Sequence, residues 1–334
     1  MNRIFLSLSL ELHISTAQEI VMPDIVVMFF LLGLIAGLVR SDLKVPKATY
    51  DTMSLLLMLT IGLKGGMALH GKLSWELLPE LLFVGMLGAI IPLLLFPVLR
   101  KLVQLSLADS ASIAAHYGSV SAGTFAVALA YVETNQLAVS AQVTLYLVLL
   151  ELPAIIVGLL LYRRFQSGDT STSMKNLWHE SFTNRGVILL LGGVIIGFMY
   201  GYKMGSEVTE LFTGAFKAVL ALFLLEMGLV AAGTLQPIPF KHWRLLVFAL
   251  LAPSVLALFG IATGYALDLG VGSTVILASL LASASYIAAP AAIKSSIDDA
   301  DIGLAMLASL GLTFPFNVVI GISFYHHLIE RLFI

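Results

Sequence analysis

The 334-residue chain contains no cysteine, so it can form neither a disulfide nor a thiolate-bound metal site. Charge is also scarce: Asp, Glu, Lys and Arg make up 11% of the residues, against about 25% in a soluble domain. The formal net charge is −2, and no basic cluster is present to neutralise phosphates, which excludes a nucleic-acid partner. No H-E-x-x-H or comparable metal-ligand spacing occurs. What dominates is apolar: 59% of residues are hydrophobic and the mean hydropathy is +0.99. A chain that has shed this much polar surface is a polytopic membrane protein whose solvent is the lipid bilayer. Its first 20 residues include Glu11, His13 and Glu19 and lack a small-residue cleavage site, so they read as a short amphipathic lead-in, not a secretory signal.

Ten apolar stretches are expected to cross a hydrocarbon core of ~30 Å. They run over 24–40, 48–69, 76–99, 109–132, 140–162, 186–202, 211–233, 243–267, 272–296 and 301–330. The one long polar connection is the Ser- and Thr-rich segment 163–185. It divides a first unit, 1–162, from a second, 186–334, with five spans in each. Landmarks of the first unit return in the second in the same order. Gly62-Leu63 returns as Gly228-Leu229, Ser119-Val120-Ser121 as Ser283-Ala284-Ser285, and Leu150-Glu151-Leu152-Pro153 as Leu312-Thr313-Phe314-Pro315. An odd number of spans turns the second copy upside down, and inverted repeats are a hallmark of secondary transporters.

Basic residues give the orientation, because they resist translocation. One face carries Arg40, Lys44, Lys47, Arg100, Lys101, Arg163, Arg164, Lys175, Arg185, Lys241, Arg244 and Lys294; the other carries Arg3, Lys72, Lys203 and Arg331. The richer face is expected to be cytoplasmic, with linker 163–185 inside and both termini outside the inner (plasma) membrane.

Spans 4 and 9 carry the unusual chemistry. Span 4 holds Ser119, Val120, Ser121, Ala122, Gly123 and Thr124; span 9 holds Ser283, Ala284, Ser285 and Tyr286, with Pro290 just beyond. Hydroxyls beside Gly or Pro at mid-membrane predict broken helices 4 and 9. A break exposes backbone N–H groups that hydrocarbon cannot satisfy but a polar ligand can, and the following half-helix points its positive end there. Two such breaks facing one another would make an anion cradle without a fixed positive charge. The competing reading is close helix packing through small residues.

Among ionisable groups inside spans, Glu151 before Pro153 is the best cation ligand or proton carrier, with Glu226 a weaker second. Lys64 could pair with such a carboxylate, while Lys217 reads as an interfacial residue. His116 reads as a buried neutral imidazole bonded to a carbonyl, and His326-His327 as interfacial. No nucleophile, base and metal set is present for an intramembrane enzyme, and no soluble output domain for a sensor.

The segments IGLKGGMAL (61–69), GSVSAGT (118–124), LELPA (150–154) and ASASYIAAP (282–290) resemble the Sbt-type sodium-dependent bicarbonate transporters across all ten spans. The resemblance implies sodium-coupled uptake of bicarbonate between a core and a gate domain. It also implies a homotrimer and, in some members, a PII-like regulator on the cytoplasmic face. Ser119 to Gly123 and Ser283 to Tyr286 would bind the anion; Thr124, Glu151 and Ser285 would bind Na+, the one ion required and no cofactor. The chain departs from the family pattern at Tyr286, where the family has Asp, at Ala288, where it has Ser, and at Ala122-Gly123, where it has Gly-Ser. Another small anion, or proton coupling through Glu151, therefore stays open beside sodium-coupled bicarbonate symport.

Overall fold

The computed structural model describes residues 24–72, 74–166, 183, 185–236 and 240–333. The N-terminal lead-in and most of linker 163–185 lie outside them. The described chain is all-helical, with no strand, as hydrocarbon requires of a backbone that must satisfy its own polar groups.

Among the described residues twelve helices follow in order. The first unit contributes α1 (Ile25–Leu38), α2 (Lys47–Leu69), α3 (Leu78–Val98), α4 (Leu107–Gly118), α5 (Ala122–Thr134) and α6 (Val143–Phe165). The second contributes α7 (Arg185–Gly214), α8 (Phe216–Thr234), α9 (Trp243–Ala266), α10 (Val271–Leu281), α11 (Ala288–Ser296) and α12 (302–333). Seven of the continuous helical stretches are long and apolar enough to cross a membrane; α1 and α10 are apolar but shorter. At 14 residues, α1 extends roughly 21 Å. Side-chain caps mark several starts: Asp24 accepts from Val26 N–H at 2.9 Å, Ser106 from Asp109 N–H at 3.0 Å and Asp301 from Leu304 N–H at 3.2 Å.

The end expected for span 6 near 202 coincides with a break: Gly201, at φ 61° and ψ −174°, is not helical and divides α7 into two helical segments. The connection expected before 211 is instead helix, which runs on from that break to Gly214. Residues 203–210 are polar but contain no proline, so nothing stops the helix there. Only Ala215 separates it from α8.

Helices α1, α2, α7 and α8 form one packed group, with α2 against α7 and α1 against α8. Glycines permit both contacts. A methyl group added at Gly62 or Gly66 would collide with the carbonyl oxygens of Leu190 or Val194, and one at Gly197 with that of Leu63. Likewise, a methyl at Gly33 would meet the Leu225 carbonyl and one at Gly228 that of Phe30. These are close approaches through small residues spaced four apart.

The remaining helices form the second group: α3, α4 and α6 pack together, as do α9, α10 and α12. In α12 the turns widen over Leu307–Thr313 and Asn317–Gly321. Pro315 lies between these two stretches, removes one backbone donor and crowds the preceding turn, which wider turns relieve.

Candidate functional site

The chain leaves helical geometry at both Ser-rich segments. Span 4 is interrupted at Ser119–Ser121, between α4 and α5; span 9 is interrupted between Leu281 and Ala288, the limits of α10 and α11. The glycines do not make the first break. Gly118 still belongs to α4 and Gly123 to α5; their role is steric. A methyl at Gly118 would press on Pro92 and on Ala154 (2.8 Å to its Cβ). Pro290 sits in the first turn of α11, where a missing N–H costs nothing.

The two breaks are bonded to one another. Ser121 N–H donates to Ser283 Oγ at 2.7 Å, and Ser285 N–H donates to the His116 carbonyl at 2.7 Å. Ser283 Oγ passes its own proton to the Leu280 carbonyl, 2.7 Å away. Each following half-helix is capped by a serine of its break. Ser121 Oγ accepts from Thr124 N–H and Ser285 Oγ from Ala289 N–H, both at 3.1 Å. Both hydroxyls accept there and keep a proton to donate. The leading N–H groups of α5 and α11 have no partner within their own helices.

Between the two helix groups lies a narrow cleft of about 20 Å³, room for one or two waters. Val120, Ser121 and Ala122 line it from span 4 and Glu151 from α6; Ser285, Tyr286, Ile287 and Ala288 line it from span 9. Met58 of α2 and Gly186 and Leu190 of α7 close the opposite wall. No Lys or Arg lines the cleft, and Glu151 is its one carboxylate among the described residues. The Glu151 carboxylate forms no ion pair among the described residues.

The cleft thus gathers Val120, Ser121, Ala122, Glu151, Ser285 and Tyr286 from the candidates. Ser119, Gly123, Thr124, Ser283 and Ala284 lie behind its wall. Of these, Ser119 Oγ and Thr124 Oγ1 are buried without a hydrogen-bond partner among the described residues. Gly123 matters indirectly: a methyl there would collide with Tyr286 Oη. That phenol is further held by Phe314, edge-to-face at 5.3 Å.

Other polar residues divide between support and bystander roles. His116 Nδ1 donates to the Ser112 carbonyl at 2.7 Å, as expected of a buried neutral imidazole. Glu226 is half-buried away from the cleft. Lys64 pairs with Glu133 at the end of α5, not with Glu151 or Glu226, and Lys217 donates to Thr134 Oγ1 at 2.9 Å. Sequence reasoning missed Asn317, whose Nδ2 donates to the Ala282 carbonyl at 2.8 Å while its Oδ1 accepts from Tyr325 at 2.8 Å. Asn317 therefore secures the start of the span 9 break from α12. A lone Asn inside an apolar span was the available signal. Met58, Gly186 and Leu190 were missed too, because nothing in an apolar wall residue distinguishes it in sequence.

A family model described as the Na+-dependent bicarbonate transporter superfamily matches residues 25–330, and the chain belongs to that family. Membership places it among multi-pass membrane transporters, not enzymes. No individual curated protein matches it.

Proposed function

We propose that this member of the superfamily is a secondary active symporter of bicarbonate, driven by sodium and working through the two broken spans. The observation that carries the reading is the cleft: two capped half-helix starts and two donor-capable serines meet beside one carboxylate, with no fixed cation. Such a site stabilises a small anion through oriented amides and hydroxyls, and it releases that anion more readily than a lysine would. With room for only one or two waters, the cleft admits a three-oxygen anion when the helix groups flanking it separate. Separation of two groups around a fixed site is the motion of alternating access.

Ten crossings in two inverted units complete the reading. The support is an exchange of partners: α2 packs on α7 through Gly62 and Gly66, and α1 packs on α8 through Gly33 and Gly228. These are the contacts that a two-fold relation between 1–162 and 186–334 would generate. Both termini outside, a cytoplasmic linker, a homotrimer and a PII-like regulator belong to the same proposal, the first two from charge asymmetry and the last two from family resemblance.

A second reading, proton coupling or a different small organic anion, is favoured by one observation. Among the four residues that line the cleft from span 9 is Tyr286, whose phenol is a poor cation ligand, and this leaves the coupling to Glu151 and nearby hydroxyls. Uptake into proteoliposomes of labelled bicarbonate and a panel of small carboxylates, under imposed sodium or proton gradients, separates the readings. The parent should concentrate bicarbonate under a sodium gradient. Glu151→Gln should lose accumulation under that gradient and keep slow downhill exchange. Accumulation by Glu151→Gln equal to the parent would remove Glu151 from coupling. A carboxylate concentrated under protons alone would favour the second reading.

A further inference from the structure

A different surface of the protein carries a second kind of chemistry. Between α3 and α9, away from the cleft, runs an open groove of about 760 Å³. Its walls are apolar side chains facing outward: Leu94 is 48% exposed, Leu102 70%, Leu251 61% and Val255 53%. From Arg244 to Phe259 it follows α9 for roughly 22 Å, longer than the ~15 Å of one leaflet's hydrocarbon. One end is polar. Lys101, Gln104, Trp243 and Arg244 line it, and the Arg244 guanidinium lies over the Trp243 ring at 5.5 Å. The π-helical turn Leu99–Val103, closed by Gln104 in a left-handed conformation at φ 65°, places Lys101 there.

The charges at this end are uncompensated. Neither Lys101 nor Arg244 forms an ion pair among the described residues, and no acidic side chain lines the groove. The neighbouring Arg100 is engaged otherwise, donating to the Leu105 carbonyl at 2.6 Å. An amphipathic occupant with a negative head fits: apolar chains cover the exposed leucines and valines, while a phosphate meets the two cations. A zwitterionic head fits less well, since its ammonium finds no carboxylate here.

We propose that this groove is a binding site for an anionic phospholipid, with its phosphate between Lys101 and Arg244 and its acyl chains along α3 and α9. Each basic side chain near an anionic head contributes about fivefold in affinity, so the pair contributes about thirtyfold. The test is native mass spectrometry of the full chain from vesicles of equimolar phosphatidylglycerol and phosphatidylcholine. The parent should retain phosphatidylglycerol in preference, and K101Q/R244Q should lose most of that preference. Leu251→Trp, which fills the groove, should reduce retention of both lipids. K44Q/K47Q, which removes charge from the same basic face outside the groove, should retain the parental preference. Equal retention of the two lipids by the parent would overturn the site, as would undiminished preference in K101Q/R244Q or its loss in K44Q/K47Q. Disulfide cross-linking between copies through Leu251→Cys would also overturn it, by showing that a second chain covers the groove.

Discussion

Gly123 and Tyr286 are one unit although 163 positions separate them in sequence. The phenol fills the space that any side chain at 123 would need, and Phe314 behind its ring limits retreat. A methyl at 123 is therefore overpacking, which costs about 1–3 kcal/mol in a well-packed interior. Gly123→Ala should lower stability to denaturant by about that amount. Tyr286→Phe in the same background should recover most of the loss, because it deletes the one atom in collision. A Gly123→Ala protein as stable as the parent, or a double variant no better than the single, would show that the phenol moves freely. Neither partner announces this pairing in sequence. Gly123 reads there as a helix breaker, whereas it lies inside α5 and serves by having no side chain.

At the scale of elements, the two broken spans stand out in sequence for a physical reason: hydroxyls and proline inside hydrocarbon are costly without a polar purpose. The bonding across the breaks was not legible, since it depends on which backbone groups the crossing brings together. Nor was the tether at the far end of α5. Lys64 of α2 pairs with Glu133, and Lys217 of α8 bonds Thr134, so two of the four helices of the first group hold the same helix end. The lysine of α2 also lies 4.8 Å from the centre of the Phe216 ring. Side chains of Lys64 and Glu133 are 23% and 34% exposed, and such a pair contributes at most about 1 kcal/mol. Lys64→Gln with Lys217→Gln should then shift the balance of closed and open forms by about fivefold. Ser121→Cys, in a chain with no native cysteine, reports on this through its rate of labelling by an impermeant thiol reagent added outside. The rate should rise several-fold when the tether is removed; an unchanged rate would mean that the tether does not close the cleft.

Across the whole molecule, apolar length and the polar gap at 163–185 made the helical class and most element positions legible. The helical turns over 203–210, beyond the break at Gly201, were hidden, because a polar stretch without proline reads in sequence as readily as a loop as it does as a helix. The Gly62–Gly66 and Gly193–Gly197 spacings were visible as letters, but their partners emerge only once α2 and α7 lie side by side. The same holds for the site: its serines and Glu151 are recognisable by chemistry, while the wall of Met58, Gly186 and Leu190 is supplied by the other helix group. The central claim is that the anion crosses between the breaks of spans 4 and 9. It is tested most directly by sodium-gradient-driven uptake of labelled bicarbonate into proteoliposomes bearing the parent, Ser121→Leu or Ser285→Leu. The parent should concentrate the label, and each leucine, by filling the cleft and removing a hydroxyl donor, should cut the initial rate at least about a hundredfold, as losing a charge-assisted hydrogen bond together with the space for the ligand implies. Uptake at the parental rate by both folded, membrane-inserted variants would contradict the claim and place the anion pathway elsewhere in the protein.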